Sequence, residues 1–212
     1  ACEDSLRRLN TDYIDLYQFH DNGFPPENAQ PVRDTLEQLV KEGKIRTYGW
    51  STDFPESAEF FVRGENCSAI QLQLNVLDDN APVVEICEKH DQAAINRGPL
   101  AMGLLTGKYS AATKVTGEDV RSDRSPEWMK YFKGGTPNPE FMKRLNAVRD
   151  ILTSEGRSVA QGSLAWLWAR SETTIPIPGF RTVQQVEDNA GALEKGPLTG
   201  AQFAEIEALL RH

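Results

Sequence analysis

Apolar positions along this chain recur with two alternating periods. Tyr13-Ile14-Asp15-Leu16-Tyr17-Gln18-Phe19-His20 is rich in aromatic and β-branched residues and predicts a strand after Asn10-Thr11-Asp12. Pro25, Pro26 and Pro31 mark the loop that follows. Val32, Leu36, Leu39 and Val40 then return at helical spacing, and Gly43 ends that helix. A second strand is expected over Ile45 to Ser51, a short helix from Pro55 through Phe61, and a third strand over Ser68 to Val76. Val83, Ile86 and Cys87 mark a helix over 82–90, before a fourth strand at 92–97. Two helices are expected at 139–154 and 158–169. A fifth, buried strand over Thr173 to Ile177 leads into a helix from Val183 to Leu193. The last helix starts at Thr199 and carries Phe203, Ile206, Leu209 and Leu210. Ser5-Leu6-Arg7-Arg8-Leu9 reads as the second half of an amphipathic helix.

Repeated strand–helix units predict a parallel sheet with helices outside it, in one α/β domain over 1–212. An open doubly wound sheet and a TIM-type (β/α) barrel both satisfy that order. No G-x-G-x-x-G follows the first strand, and the candidate chemistry gathers at the C-terminal ends of strands, so the barrel is preferred. Five units do not close an eight-stranded barrel, so the expectation is a partial one. The chain opens on Ala1-Cys2 without methionine, and residues upstream are expected to be missing. Residues 110–137 are polar and rich in Gly, Ser, Asp and Lys, and read as a long loop excursion.

With 39% apolar and 25% charged residues the chain can build a sizeable core. Its net charge of -8 argues against nucleic acid as a partner, so any phosphate contact must be local. Cys2, Cys67 and Cys87 cannot all pair and match no zinc spacing, so no metal is expected. Unpaired thiols suit a reducing, cytoplasmic setting. No apolar run approaches the roughly 18 residues of a membrane span, and no signal peptide opens the chain.

Two segments carry candidate chemistry. Thr174-Ile175-Pro176-Ile177-Pro178-Gly179-Phe180-Arg181-Thr182 is a strand that breaks at a Pro-Gly turn and opens a helix carrying Gln185 and Asn189. That gathers backbone N–H groups, a guanidinium and two amides, a set suited to a nucleotide phosphate. Arg181 and Gln185 are read one helical turn apart on a shared face, with Thr182 capping the helix start. The planar donor fork of Arg181 fits a phosphate group. The other segment is the first strand, which ends in His20 at a loop mouth.

The chain resembles the aldo-keto reductase family, in the branch related to potassium-channel β subunits. The resemblance runs from Ser5 to about Ala192, on Leu9 to His20, Gly43 to Thr52, Gly98 to Lys108, and Ile177 to Gly179 with Arg181, Thr182 and Gln185 to Asn189. It implies a (β/α)8 barrel, NADPH bound extended, and reduction of small aldehydes or ketones. His20 would donate a hydrogen bond to the substrate carbonyl. Ser51, Thr52 and Gln71 would hold the nicotinamide carboxamide, although members commonly carry asparagine where Thr52 stands. Arg97 occupies a place where many members stack a tyrosine. Gly98, Pro99, Leu100 and Gly103 would form a tight turn facing the pyrophosphate, with Lys108 adding charge. Gly179, Arg181, Thr182, Gln185 and Asn189 would hold the 2′-phosphate and adenine. The family's aspartate, proton-donating tyrosine and lysine lie on earlier strands and have no counterpart in these residues. Tyr13, Tyr17 and Tyr48 do not replace the tyrosine.

The expected function is NADPH-dependent carbonyl reduction, impaired in this chain. The alternatives are a nucleotide-binding module without required turnover, and an inert partial barrel that self-associates through an open sheet edge. Trp166 and Trp168 are read as helix-to-barrel packing. Trp128, Met129, Tyr131 and Phe132 are read as a substrate lid or a satellite cluster.

Overall fold

Each expected strand and helix has a counterpart in the computed structural model, which describes residues 1–211. His212 lies outside the described residues. In chain order the elements are α1 (Cys2–Leu9), β1 (Ile14–Phe19), α2 (Gln30–Lys41), β2 (Ile45–Ser51), α3 (Pro55–Phe61), β3 (Cys67–Gln73), α4 (Ala81–Lys89) and β4 (Ala93–Arg97). A 3-10 turn (Ala101–Thr106) follows, then β5 (Phe132–Lys133), β6 (Thr136–Pro137), α5 (Pro139–Leu152), α6 (Val159–Arg170), β7 (Thr174–Pro176), α7 (Val183–Lys195) and α8 (Gly200–Leu210). The chain divides into two compact units, one of residues 1–73, 80–95 and 173–175, the other of 74–79, 96–172 and the chain from Pro176 onward.

The sheet runs β1-β2-β3-β4-β7 and gives the first unit its frame. β1 lies parallel to β2, with Ile14 beside Ile45 and Phe19 beside Trp50. β2 lies parallel to β3, with Ser51 beside Gln71 and a register shift at Tyr48/Gly49. Prolines set the first turns of α2, α3 and α4, where a missing N–H costs nothing. Gly43 leaves α2 at φ 72, a conformation that glycine adopts without strain. Tyr48, Trp50, Phe61, Ile70 and Leu72 are fully buried. Phe19, Trp50 and Phe61 cluster, with Phe19 tilted against Trp50 at 5.2 Å and Trp50 edge-on to Phe61 at 5.0 Å. The three thiols are buried and unpaired, and burial pushes Cys67 and Cys87 up to about 12.

In the second unit, α5, α6, α7 and α8 pack around Leu145, Val148, Leu152, Leu164, Trp166, Leu167 and Ile206. Side chains cap each of these helices. Asn138 caps α5 and Thr182 caps α7, while Ser158 with Gln161 and Thr199 with Gln202 form capping boxes on α6 and α8. Trp166 stacks on Phe203 at 5.8 Å.

Three expectations are corrected. The third strand stops at Gln73, because the Asn75 side chain accepts the Leu77 N–H and donates to Gly98 O, turning the chain. The fifth strand is not a buried run: Ile175 and Ile177 are 49% and 48% exposed, since β7 is an end strand of the sheet. The excursion has structure of its own. β5 and β6 form an antiparallel hairpin, and Met129, Tyr131 and Phe132 are buried while Trp128 is 63% exposed. Tyr131 packs edge-on against Phe141 and donates to Asp78.

Candidate functional site

In the first unit, His20 follows the last residue of β1 and is exposed. The loop after it is tied down from β2. Trp50 Nε1 donates to Asp21 O at 2.8 Å, Thr52 Oγ1 to Asn22 O at 3.3 Å, and the Asp53 N–H to Asn22 Oδ1 at 2.8 Å. Phe24 meets Phe19 edge-on at 5.3 Å. The register that sets Phe19 beside Trp50 carries His20 to the level of Ser51, and Ser51 pairs with Gln71. Ser51 Oγ donates to Gln71 Oε1 at 3.2 Å, and the Thr52 N–H donates to Gln71 O at 2.9 Å. Ser51 and Gln71 thus meet directly. Thr52 is fully buried, and its hydroxyl also accepts the Phe54 N–H, so both functions of that hydroxyl are used inside the protein. Asp53, which the sequence reading did not single out, accepts the Gln73 N–H at 2.7 Å and through its carbonyl takes Asn80 Nδ2.

In the second unit, β4 ends in the half-buried Arg97, whose carbonyl accepts the Leu74 N–H. The chain then turns tightly. Gly98 O accepts the Ala101 N–H at 2.9 Å, and Leu100 O accepts both Gly103 and Leu105. Gly98 sits at φ 62, Ala101 at 47, Met102 at 54 and Gly103 at 91. Left-handed backbone costs a non-glycine residue about 1–2 kcal/mol, so Ala101 and Met102 are strained positions held by their surroundings. Pro99 and Leu100 are buried beneath the turn, and Lys108 is exposed with its ammonium 4.8 Å over the Tyr109 ring.

Arg181 does not share a helix face with Gln185, because α7 begins only at Val183. The Arg181 N–H instead donates to Gln185 Oε1 at 2.7 Å, and the Gln185 N–H to Thr182 Oγ1 at 3.2 Å. The amide and hydroxyl fix the backbone at the helix entrance, and the exposed Arg181 side chain projects from that fixed point. A Cβ added at Gly179 would meet nothing within 4 Å, so the chain there lies open. Asn189 is half-buried, further along α7.

The sequence reading also passed over Asp119 and Arg121, inside the excursion. Arg121 grips Asp119 with Nε and Nη2, both at 2.7 Å, and donates Nη1 to Met102 O at 3.0 Å. The Arg121 hydrogen bonds hold the Asp119 carboxyl well below the usual range, and the charge of Arg181 lowers it further. No sequence pattern marks an Asp-x-Arg pair as an anchor. Among the described residues, no group of three or more His, Cys, Asp or Glu could hold a metal ion. No helix among them is long and apolar enough to cross a membrane.

Known proteins resemble this chain in sequence and in fold. The aldo/keto reductase family profile matches residues 1–211. An uncharacterised oxidoreductase of Bacillus subtilis, YqkF, is 31% identical over 214 residues, covering 100% of this chain and 64% of its own. The holo form of aldo-keto reductase AKR11C1 from Bacillus halodurans aligns with a TM-score of 0.74 at 27% identity, over 98% of this chain and 65% of its own. An aldo/keto reductase from Klebsiella pneumoniae, in complex with NADP and acetate, aligns with a TM-score of 0.67 at 27% identity, over 99% of this chain and 63% of its own. The chain therefore spans less than two thirds of the length of these relatives, and its α/β fold is theirs, the (β/α)-barrel class. Sequence and fold agree: the chain belongs to the aldo/keto reductase family.

Proposed function

We propose that this chain carries the NADPH-binding end and the carbonyl-polarising histidine of a reductase of small aldehydes or ketones. The observation that carries the reading is the entrance to α7, where Gln185 Oε1 accepts the Arg181 N–H, Thr182 Oγ1 accepts the Gln185 N–H, and Arg181 is exposed. The donor set fits a 2′-phosphorylated dinucleotide. Arg181 offers a planar fork to the 2′-phosphate, the Gln185 amide keeps its NH2 as a second donor, and Asn189 lies further along for adenine. Gly179 leaves room for close approach. The turn of Gly98, Pro99, Leu100 and Gly103 takes the pyrophosphate, with Lys108 and Arg97 adding positive charge. The relative from Klebsiella pneumoniae, whose complex contains NADP, supports this assignment.

In the first unit, Ser51 and Gln71 hold the nicotinamide carboxamide. Thr52 acts one step back, by holding the loop that follows His20. Bound NADPH would supply the hydride. His20 donates a hydrogen bond to the carbonyl oxygen as charge gathers on it.

Fluorescence titration with NADPH and NADH tests the reading. Arg181→Ala should weaken NADPH by about tenfold or more and leave NADH nearly unchanged, because one charge-assisted fork is lost. Equal affinity of the unaltered chain for both nucleotides would defeat the assignment.

These 212 residues are further proposed to bind nucleotide without efficient turnover. The motivation is that the family's proton donor and its lysine have no counterpart among them. Following NADPH oxidation with an aromatic aldehyde decides the matter, and brisk turnover by this chain refutes it.

A further inference from the structure

We propose that Arg121, oriented by Asp119, is a positioning residue for the nucleotide phosphates and acts through the 98–103 turn. The inference rests on the reading above that this turn receives a dinucleotide. Ala101, Met102 and Gly103 are successive left-handed residues, a conformation that persists only where the surroundings impose it. Arg121 Nη1 imposes it at the Met102 carbonyl, 3.0 Å away. The far end of that peptide plane, the Gly103 N–H, donates to Leu100 O at 2.8 Å. The plane before Ala101 is likewise held at both ends, since the Ala101 N–H donates to Gly98 O and Leu100 O accepts from Gly103 and Leu105. With both flanking planes pinned, the direction of the Met102 N–H is set before any ligand arrives. A donor whose direction is already set needs no reorganisation to meet an anion.

Arg121 is held as firmly as it holds. Its Nε and Nη2 meet Asp119 Oδ1 and Oδ2, its own N–H donates to Oδ1 at 3.0 Å, and its side chain is only 12% exposed. The carboxylate balances the guanidinium charge, so the contribution of Arg121 is the shape of the turn and not an added cation. Glycine at 103 admits this contact: a Cβ there would come within 3.1 Å of Arg121 Nη1. The excursion after Lys108 thus reaches back to brace the phosphate turn. Arg181, acting on the 2′-phosphate, has a separate task.

That division of labour is testable with NADPH and NADH, which share a pyrophosphate and differ in the 2′-phosphate. Arg121→Met should weaken both nucleotides by the same factor, about tenfold, as expected for loss of a charged donor. Arg121→Lys should recover part of that affinity, because an ammonium can still reach the Met102 carbonyl. Asp119→Asn, which keeps the packing volume, should weaken NADH, which has no 2′-phosphate to meet Arg181, by a smaller factor and decides the question if Arg121→Met does not fold. Circular dichroism melts show which variants are folded at the titration temperature. Folded variants that bind both nucleotides as tightly as the unaltered chain overturn the proposal, as does a loss confined to NADPH. An unaltered chain that binds neither nucleotide overturns the functional reading and this inference with it.

Discussion

The Tyr48 hydroxyl donates to Glu37 at 2.5 Å, and Asn66 adds its N–H and side-chain amide to the same carboxylate. Burial alone would raise the Glu37 carboxyl, but these hydrogen bonds together outweigh it and the net shift is downward. Burial also pushes the Tyr48 hydroxyl up, so it remains a donor at any ordinary pH. A carboxyl held low in the folded state stabilises fully above its ordinary value of 4.5 and loses that contribution as the pH falls through its lowered value. Tyr48→Phe should therefore cost about 1–2 kcal/mol near neutrality. The gap from the unaltered chain should narrow below pH 4.5. Urea titrations across that range check it, and a gap independent of pH would rule out this role for Glu37. At the same scale, the place of His20 at a strand end was legible because the aromatic and β-branched run stops there. Arg121 was not legible, because a salt bridge two residues long inside a polar segment looks like any solvated pair.

Gly162 shows how an element depends on its neighbour. It lies in α6, and a Cβ there would fall 2.6 Å from the Leu152 carbonyl carbon and 2.7 Å from its Cα, at the end of α5. Backbone cannot yield as a flexible side chain can. Gly162→Ala should destabilise by about 2–3 kcal/mol despite alanine's better helix propensity. Gly200→Ala is the control, since nothing lies within 4 Å of a Cβ at the start of α8, and it should be neutral or slightly stabilising. Thermal melts of the two variants separate the effects, and similar midpoints would contradict the packing argument. Element boundaries followed the sequence closely wherever a proline, glycine or capping hydroxyl marked them, as at Gly43, Ser158 and Thr199. They failed at Asn75, whose side chain made the turn, and at β7, whose apolar composition suggested a burial that its position as an end strand does not provide.

At the scale of the whole molecule, the candidate residues fall into two sets, each within one compact unit. His20, Ser51, Thr52 and Gln71 belong to the first, while Arg97 to Lys108, Gly179 to Asn189, Asp119 and Arg121 belong to the second. The proposal that these residues bind nucleotide without efficient turnover has its own scale. Loss of a general acid lowers rates by roughly 10²–10⁴-fold, so under that proposal aldehyde reduction by these residues should fall that far below an active reductase assayed alongside. Local rules were enough to read the alternation of strands and helices and the α/β class from residue order, because period, punctuation and capping act over a few neighbours. Which hydroxyl is consumed indoors, which arginine faces solvent and which one braces a strained turn were settled by packing. Thr52 and Asn22, Arg121 and Met102, and Gly162 and Leu152 are distant or unremarkable in the sequence, and each pair meets only because the fold closes the distance.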